Sequence, residues 1–118
     1  MQIIDGNEIY SYIVSGAKNV IVNETNLNRI NVFPVPDGDT GTNLSLTMNS
    51  ILSQAQRRPQ ASVTMKSIAD VAVDHAYGNS GVIFAQYLHG LSQSVGQREN
   101  LTSKEFIESL KTSAQYAF

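Results

Sequence analysis

Apolar residues recur at three- and four-residue intervals along most of this chain, and no stretch alternates apolar with polar over a strand's length. Side chains three and four apart share one side of a helix, whereas those two apart share one side of a strand. The pattern therefore predicts an all-α protein. Asp5 and Glu8 stand at capping-box spacing, with aspartate in the usual serine or threonine place. Ile9, Ile13, Ala17 and Val20 then continue a first helix. Asn23, Thr25 and Asn26 read as a break, followed by a short helical turn from Leu27 to Ile30. A second long helix is expected from about Gly41, with Leu44, Met48, Ile51, Leu52 and Ala55 on its apolar side. A third carries Ile68, Val71, Ala72 and Ala76 and is expected to stop at Gly78, a favourable residue for a helix end. A fourth starts near Asn79 or Ser80 and buries Val82, Ile83, Tyr87, Leu91 and Val95. Thr102 and Glu105 form another capping box, opening a helix that carries Phe106, Leu110 and Ala114.

One segment breaks this regularity. "FPVPDGDTGTN", Phe33 to Asn43, places two prolines before two aspartates that flank a glycine. The prolines exclude regular helix and a central strand alike. Asp37 and Asp39 can converge on one hard cation if the loop is bent, and magnesium commonly takes only one or two protein carboxylates besides phosphate oxygens and water. Thr40, Thr42 and Asn43 supply short donors and acceptors, while Gly38 and Gly41 let the backbone approach a ligand. A helix beginning near Gly41 would point its first amides at the loop and favour an anion there. The same residues also make ordinary turn chemistry without any ligand. An EF-hand does not fit, because Gly41, Thr42 and Met48 occupy the positions where an acidic residue or asparagine, a glycine and a chelating glutamate are needed.

The second candidate string is "YGNSGVIFAQ". Gly78, Asn79, Ser80 and Gly81 lie between two expected helices. Asn79 or Ser80 is an ordinary N-cap, and the same segment suits a phosphate at a helix N-terminus. His75 and His89 have no second histidine at ligand spacing and read as structural or surface residues.

Composition narrows the remaining classes. The 118 residues suffice for one small domain, 1–118, and 42% apolar with 15% charged content is not that of a disordered chain. With no cysteine, disulfides and thiolate metal sites are ruled out. A net charge of −2 with scattered basic residues gives no support to a nucleic-acid partner. The N-terminus lacks the pattern of a secretory signal, and no apolar run reaches the ~20 residues needed to span a bilayer. A cytoplasmic location is the default expectation. The last helical pattern is still running at "SAQYAF", which is expected of a truncated domain.

Taken together, "LNRINVFPVPDGDTGTNLSLTM" and "AYGNSGVIFAQYLHGL" resemble the nucleotide-binding domain of the dihydroxyacetone-kinase L-subunit (DhaL) superfamily. Within it, the likeness is closest to the N-terminal ATP-binding domain of the bacterial fatty acid kinase branch. The resemblance implies an up-and-down barrel of eight helices, of which this chain would hold the N-terminal five or six. It also implies ATP bound at one end through magnesium. The superfamily pattern D-x-x-x-x-D-x-D-H-G-x-N is matched by Asp37 and Asp39 at its last two acids and by Gly41 and Asn43. Thr40 stands in place of the histidine. The first acid has no counterpart at its spacing; Asn31, six residues before Asp37 rather than five, is the candidate third metal ligand. Gly78, Asn79, Ser80 and Gly81, with Thr40 to Asn43, fall where that family meets its nucleotide.

By this resemblance the parent protein transfers the γ-phosphoryl group of ATP to a fatty acid held by a DegV-like partner, giving an acyl phosphate for phospholipid synthesis. A dihydroxyacetone-type kinase is the same-fold alternative, and a helical interaction module without catalysis is the other. Helices missing from the barrel would leave apolar faces that can pair with a second copy as a homodimer, and the isolated piece is expected to be inactive.

Overall fold

The computed structural model describes residues 2–30 and 38–117, with side chains through residue 115. Among these the expected all-α architecture is present. The elements are β1 (Ile3–Ile4), α1 (Gly6–Val22), α2 (Glu24–Arg29), α3 (Thr40–Gln54), α4 (Ala61–Asp74), α5 (Gly78–Val95), β2 (Leu101–Thr102) and α6 (Ser103–Ala117).

Both capping boxes start helices where the sequence places them. The Asp5 carboxylate accepts the Glu8 N–H at 3.0 Å. At α6 the exchange is reciprocal: Glu105 N–H donates to Thr102 Oγ1 at 3.1 Å, and Thr102 N–H donates to Glu105 Oε1 at 2.8 Å. Each bond satisfies a backbone N–H that the first helical turn leaves without a partner.

Short connections between α3, α4 and α5 force these helices to run up and down as neighbours. One end of the molecule gathers the start of α1, the end of α3, the start of α4 and the end of α5. It is laced by backbone bonds from Gly6 N to Pro59 O at 2.8 Å, Ala61 N to Glu99 O at 2.7 Å and Ser62 N to Arg98 O at 2.9 Å. The starts of α3 and α5 consequently lie at the opposite end. The core runs between, through Ile9 of α1, Ile51 of α3, Met65 and Ile68 of α4, and Leu88 and Leu91 of α5, all at most 1% exposed. Removing each of these side chains from water stabilises the fold by about 1.5–3 kcal/mol.

Four local expectations are corrected. Asn23 alone separates the first two helices, so the short helix begins at Glu24 rather than near Leu27. The third long pattern ends at Asp74, and Gly78 opens α5 instead of closing α4. A minimal antiparallel pair joins Ile3 to Thr102 and Ile4 to Leu101, although no strand was expected. Leu101 is fully buried there, which rewards so short a pairing.

The fourth correction is to the buried face of α5. Val82 and Ile83 are 44% and 39% exposed, while Gly81, Ala85, Leu88, Leu91 and Val95 face inward. On α6, Phe106 and Leu110 pack partly buried against the core as Ser109 and Ser113 face fully inward. Small residues on these faces let α5 and α6 approach closely, and α5 packs most extensively against α6 and α4.

Candidate nucleotide and metal site

The loop segment leads directly into α3. Gly38 has φ +72°, a conformation that glycine adopts without penalty. Asp39 follows as N-cap of α3, and its carbonyl accepts the Asn43 N–H at 2.9 Å. Its carboxylate makes no capping bond to the helix. Thr40, Gly41 and Thr42 form the first helical turn. Asn31 and Asp37 lie outside the described residues.

The capping bond that an N-cap aspartate would ordinarily supply comes instead from α2. Asn28 Oδ1 accepts the Thr42 N–H at 3.0 Å, and Asn28 Nδ2 donates to Thr42 Oγ1 at 2.9 Å. The Thr42 hydroxyl in turn donates to Glu24 Oε2 at 3.1 Å. Gly41 makes this approach possible, since a Cβ there would overlap the Glu24 carbonyl oxygen and reach the Asn28 side chain.

The start of α5 is seated against α3. Thr47 is fully buried; its hydroxyl donates to Asn43 O at 2.9 Å and accepts the Tyr77 N–H at 3.1 Å. That second bond holds Tyr77 at the α4–α5 junction and explains why α4 ends before Gly78. Gly78 has φ +68°, and a Cβ there would overlap the Asn43 side chain. A Cβ on Gly81 would meet the Thr47 hydroxyl. The two glycine-bearing strings, far apart in sequence, thus become adjacent helix N-termini. Asn43 is 8% exposed between them, Gly81 is buried, Ser80 is half-buried, and Gly78 and Asn79 face solvent. Tyr77, the N-cap of α5, offers no side-chain acceptor to the first amides of that helix.

Two aligned helix starts provide N–H donors and positive dipole ends, a combination that favours an anion. Asp39 places a carboxylate-bearing residue at the same end. Among the described residues, no three of His, Cys, Asp and Glu gather closely enough to hold a metal ion. The histidines stand apart from any such cluster, and both are exposed. A cleft of about 510 Å³ runs along the outer face of α4 past Gln54, Lys66, Asp70, Asp74 and Gly96. It is an open groove crossed by a solvated Lys66–Asp70 pair and touches none of the residues above.

Sequence reasoning missed Glu24, Asn28 and Thr47. Glu24 and Asn28 share one side of a helix at i and i+4, but their partner lies 14 residues beyond Asn28. Nothing local marks that contact.

The DAK2 domain family matches residues 34–117. This chain belongs to the DAK2 domain family. DAK2 domains are of the kinase-type phosphotransferase class and are associated with nucleotide binding. Over 98% of its length, this DAK2 domain chain is 37% identical to an uncharacterized protein of Staphylococcus saprophyticus. Over the same share it is 32% identical to Protein YloV of Bacillus subtilis and 31% identical to an uncharacterized protein of Staphylococcus epidermidis. It spans 21% of the length of each of these relatives. No described helix of this DAK2 domain is long and apolar enough to cross a membrane.

Proposed function

We propose that this chain is the ATP- and magnesium-binding part of a cytoplasmic kinase. In this reading the γ-phosphoryl group of ATP passes to the carboxylate of a fatty acid presented by a DegV-like partner. The observation that carries the nucleotide reading is the meeting of the α3 and α5 N-termini beside Asp39, held together by Asn43 and Thr47.

The donor set fits the ligand. Asp39, with Asp37 two residues before it and Asn31 as a third candidate, would hold magnesium through oxygen atoms, the donors that this ion prefers. Bound magnesium would neutralise developing charge on the phosphate oxygens. The chain's own part is placement. The amides at the starts of α3 (Thr40, Gly41) and α5 (Gly78, Asn79, Ser80, Gly81) orient an anionic chain of phosphates. Asn43 fixes the spacing between the two helix starts. These groups are preorganised, so little reorganisation is needed when charge shifts during transfer. A fatty acid carboxylate is already ionised near neutral pH and needs no general base to become a nucleophile. The fatty acid and its carrier rest on the likeness of "NVFPVPDGDTGTN" to the fatty acid kinase branch.

Calorimetry with a non-hydrolysable ATP analogue on the full-length protein tests this reading. Magnesium-dependent binding is expected, weakened at least about 10-fold by Asp39→Asn or Asp37→Asn. Absent nucleotide binding, or affinities unchanged by both substitutions, would overturn it. Labelled phosphate appearing on dihydroxyacetone rather than on a fatty acid would overturn the choice of acceptor alone.

A further inference from the structure

We propose that Asn28 is a positioning residue for the phosphate-binding end, acting through Thr42 without touching nucleotide; this deepens the nucleotide reading above and rests on it. An N-cap aspartate normally turns its carboxylate back onto the N–H two or three residues on. Here that N–H, on Thr42, is taken from outside by Asn28 Oδ1 at 3.0 Å. The cap on the Thr42 N–H thus comes from a neighbouring helix rather than from the Asp39 carboxylate.

The rest of the network fixes which way Asn28 points. Thr42 has two hydrogen-bond donors. Its N–H goes to Asn28, and its hydroxyl proton goes to Glu24 Oε2 at 3.1 Å. The hydroxyl oxygen therefore presents a lone pair to Asn28, which must answer with Nδ2, and it does so at 2.9 Å. One amide orientation satisfies all three bonds, and the reverse would set donor against donor. With both donors engaged, Thr42 has none left for a phosphate. Its contribution is to lock the first turn of α3 onto α2, across the close contact that Gly41 permits. Rigid support of this kind sets where the Asp39 backbone and the first α3 amides sit.

The test uses the full-length protein and a magnesium complex of a non-hydrolysable ATP analogue. Asn28→Ala is expected to weaken magnesium-dependent binding about 10–100-fold, the usual range for a residue supporting a metal site. The calorimetric stoichiometry should stay at the wild-type value, which separates displacement of the loop from loss of folded protein. Thr42→Val is expected to weaken binding similarly, whereas Thr42→Ser, which keeps the hydroxyl, should stay within about 2-fold of wild type. Because Asn28 and Thr42 act as one unit, the double variant should bind within about 2-fold of the weaker single variant.

Wild-type affinity in Asn28→Ala overturns the inference, as does full multiplication of the two losses, since Thr42 would then act on the nucleotide independently. If Asn28→Ala does not fold, Thr42→Val decides: wild-type affinity there overturns the inference as well. A wild-type protein that takes up no nucleotide overturns the functional reading and this inference together. Binding that depends on Asp39 but ignores Asn28 overturns this inference alone.

Discussion

Single residues carry unequal weight, and the glycines show how unequal. Gly78 combines a φ of +68° with a side-chain-free contact against Asn43, so any Cβ is both strained and crowded. Gly16 sits on the exposed side of α1, where an added Cβ meets nothing within 4 Å. Gly78→Ala is therefore expected to cost about 1–3 kcal/mol from backbone strain, with the clash added to it. Gly16→Ala should stabilise by about 0.5–1 kcal/mol, because alanine has less conformational freedom to lose in a helix interior. Urea denaturation of the two variants gives both signs, and equal effects would refute the distinction. Composition alone treats these residues as equivalent. Gly78 could be suspected from its place between two helical patterns, yet the reason it must be glycine, the Asn43 side chain beneath it, is a tertiary contact.

At the scale of elements, legibility followed the range of the interactions that define each helix. The starts of α1 and α6 were readable because Asp5 and Thr102 bond three residues ahead. On α5 the inward face was readable at Leu91 and Val95 but not in its first turns, which open on Gly81 and Ala85, whose small size carries no hydrophobic signal. Val82 and Ile83 dominate the pattern but face outward. Leu88→Ala is thus expected to cost about 2–5 kcal/mol, against under about 1 kcal/mol for Ile83→Ala, as measured by chemical denaturation. A larger loss at Ile83 would place the core on the wrong side of α5. The α6 cap also predicts a pH response. The Thr102 N–H, chiefly, holds the Glu105 carboxyl below its ordinary value, opposed by partial desolvation and aided by the Thr102 hydroxyl and Arg98. The folded state therefore resists protonating Glu105 more than the unfolded chain does. Its contribution is present in full above the ordinary value of 4.5 and is lost as pH falls through the lower folded value. Thermal unfolding from about pH 7 to about pH 3 should show the wild-type advantage over Glu105→Gln shrinking at the acid end. A gap that widens on acidification would contradict this assignment.

Across the whole molecule, stability and function are distributed to different parts. The packed body consists of α3, α4 and α5 with α1 and α6 against them, and its local opening should require near-global unfolding. The short α2 buries no residue and is tied to α3 by the polar contacts of Glu24 and Asn28 with Thr42. It borders the candidate site, so its order and ligand binding should be linked. If ligand favours the docked form of α2, linkage requires that it slow α2 opening in proportion to that preference. Native-state hydrogen exchange can follow this through Leu27, whose N–H donates to Asn23 O at 2.9 Å, and Ile30, whose N–H donates to Asn26 O at 3.2 Å. Without nucleotide both amides should exchange far faster than those around Ile68 in α4. With the magnesium complex of an ATP analogue, their exchange should slow while the α4 amides change less. Asn28→Ala should abolish most of that difference, because the docked form would lose the bonds that distinguish it. Protection of α2 that already equals α4 without ligand would show that the strut is rigid by packing alone. Its polar contacts would then have no bearing on how the site is assembled.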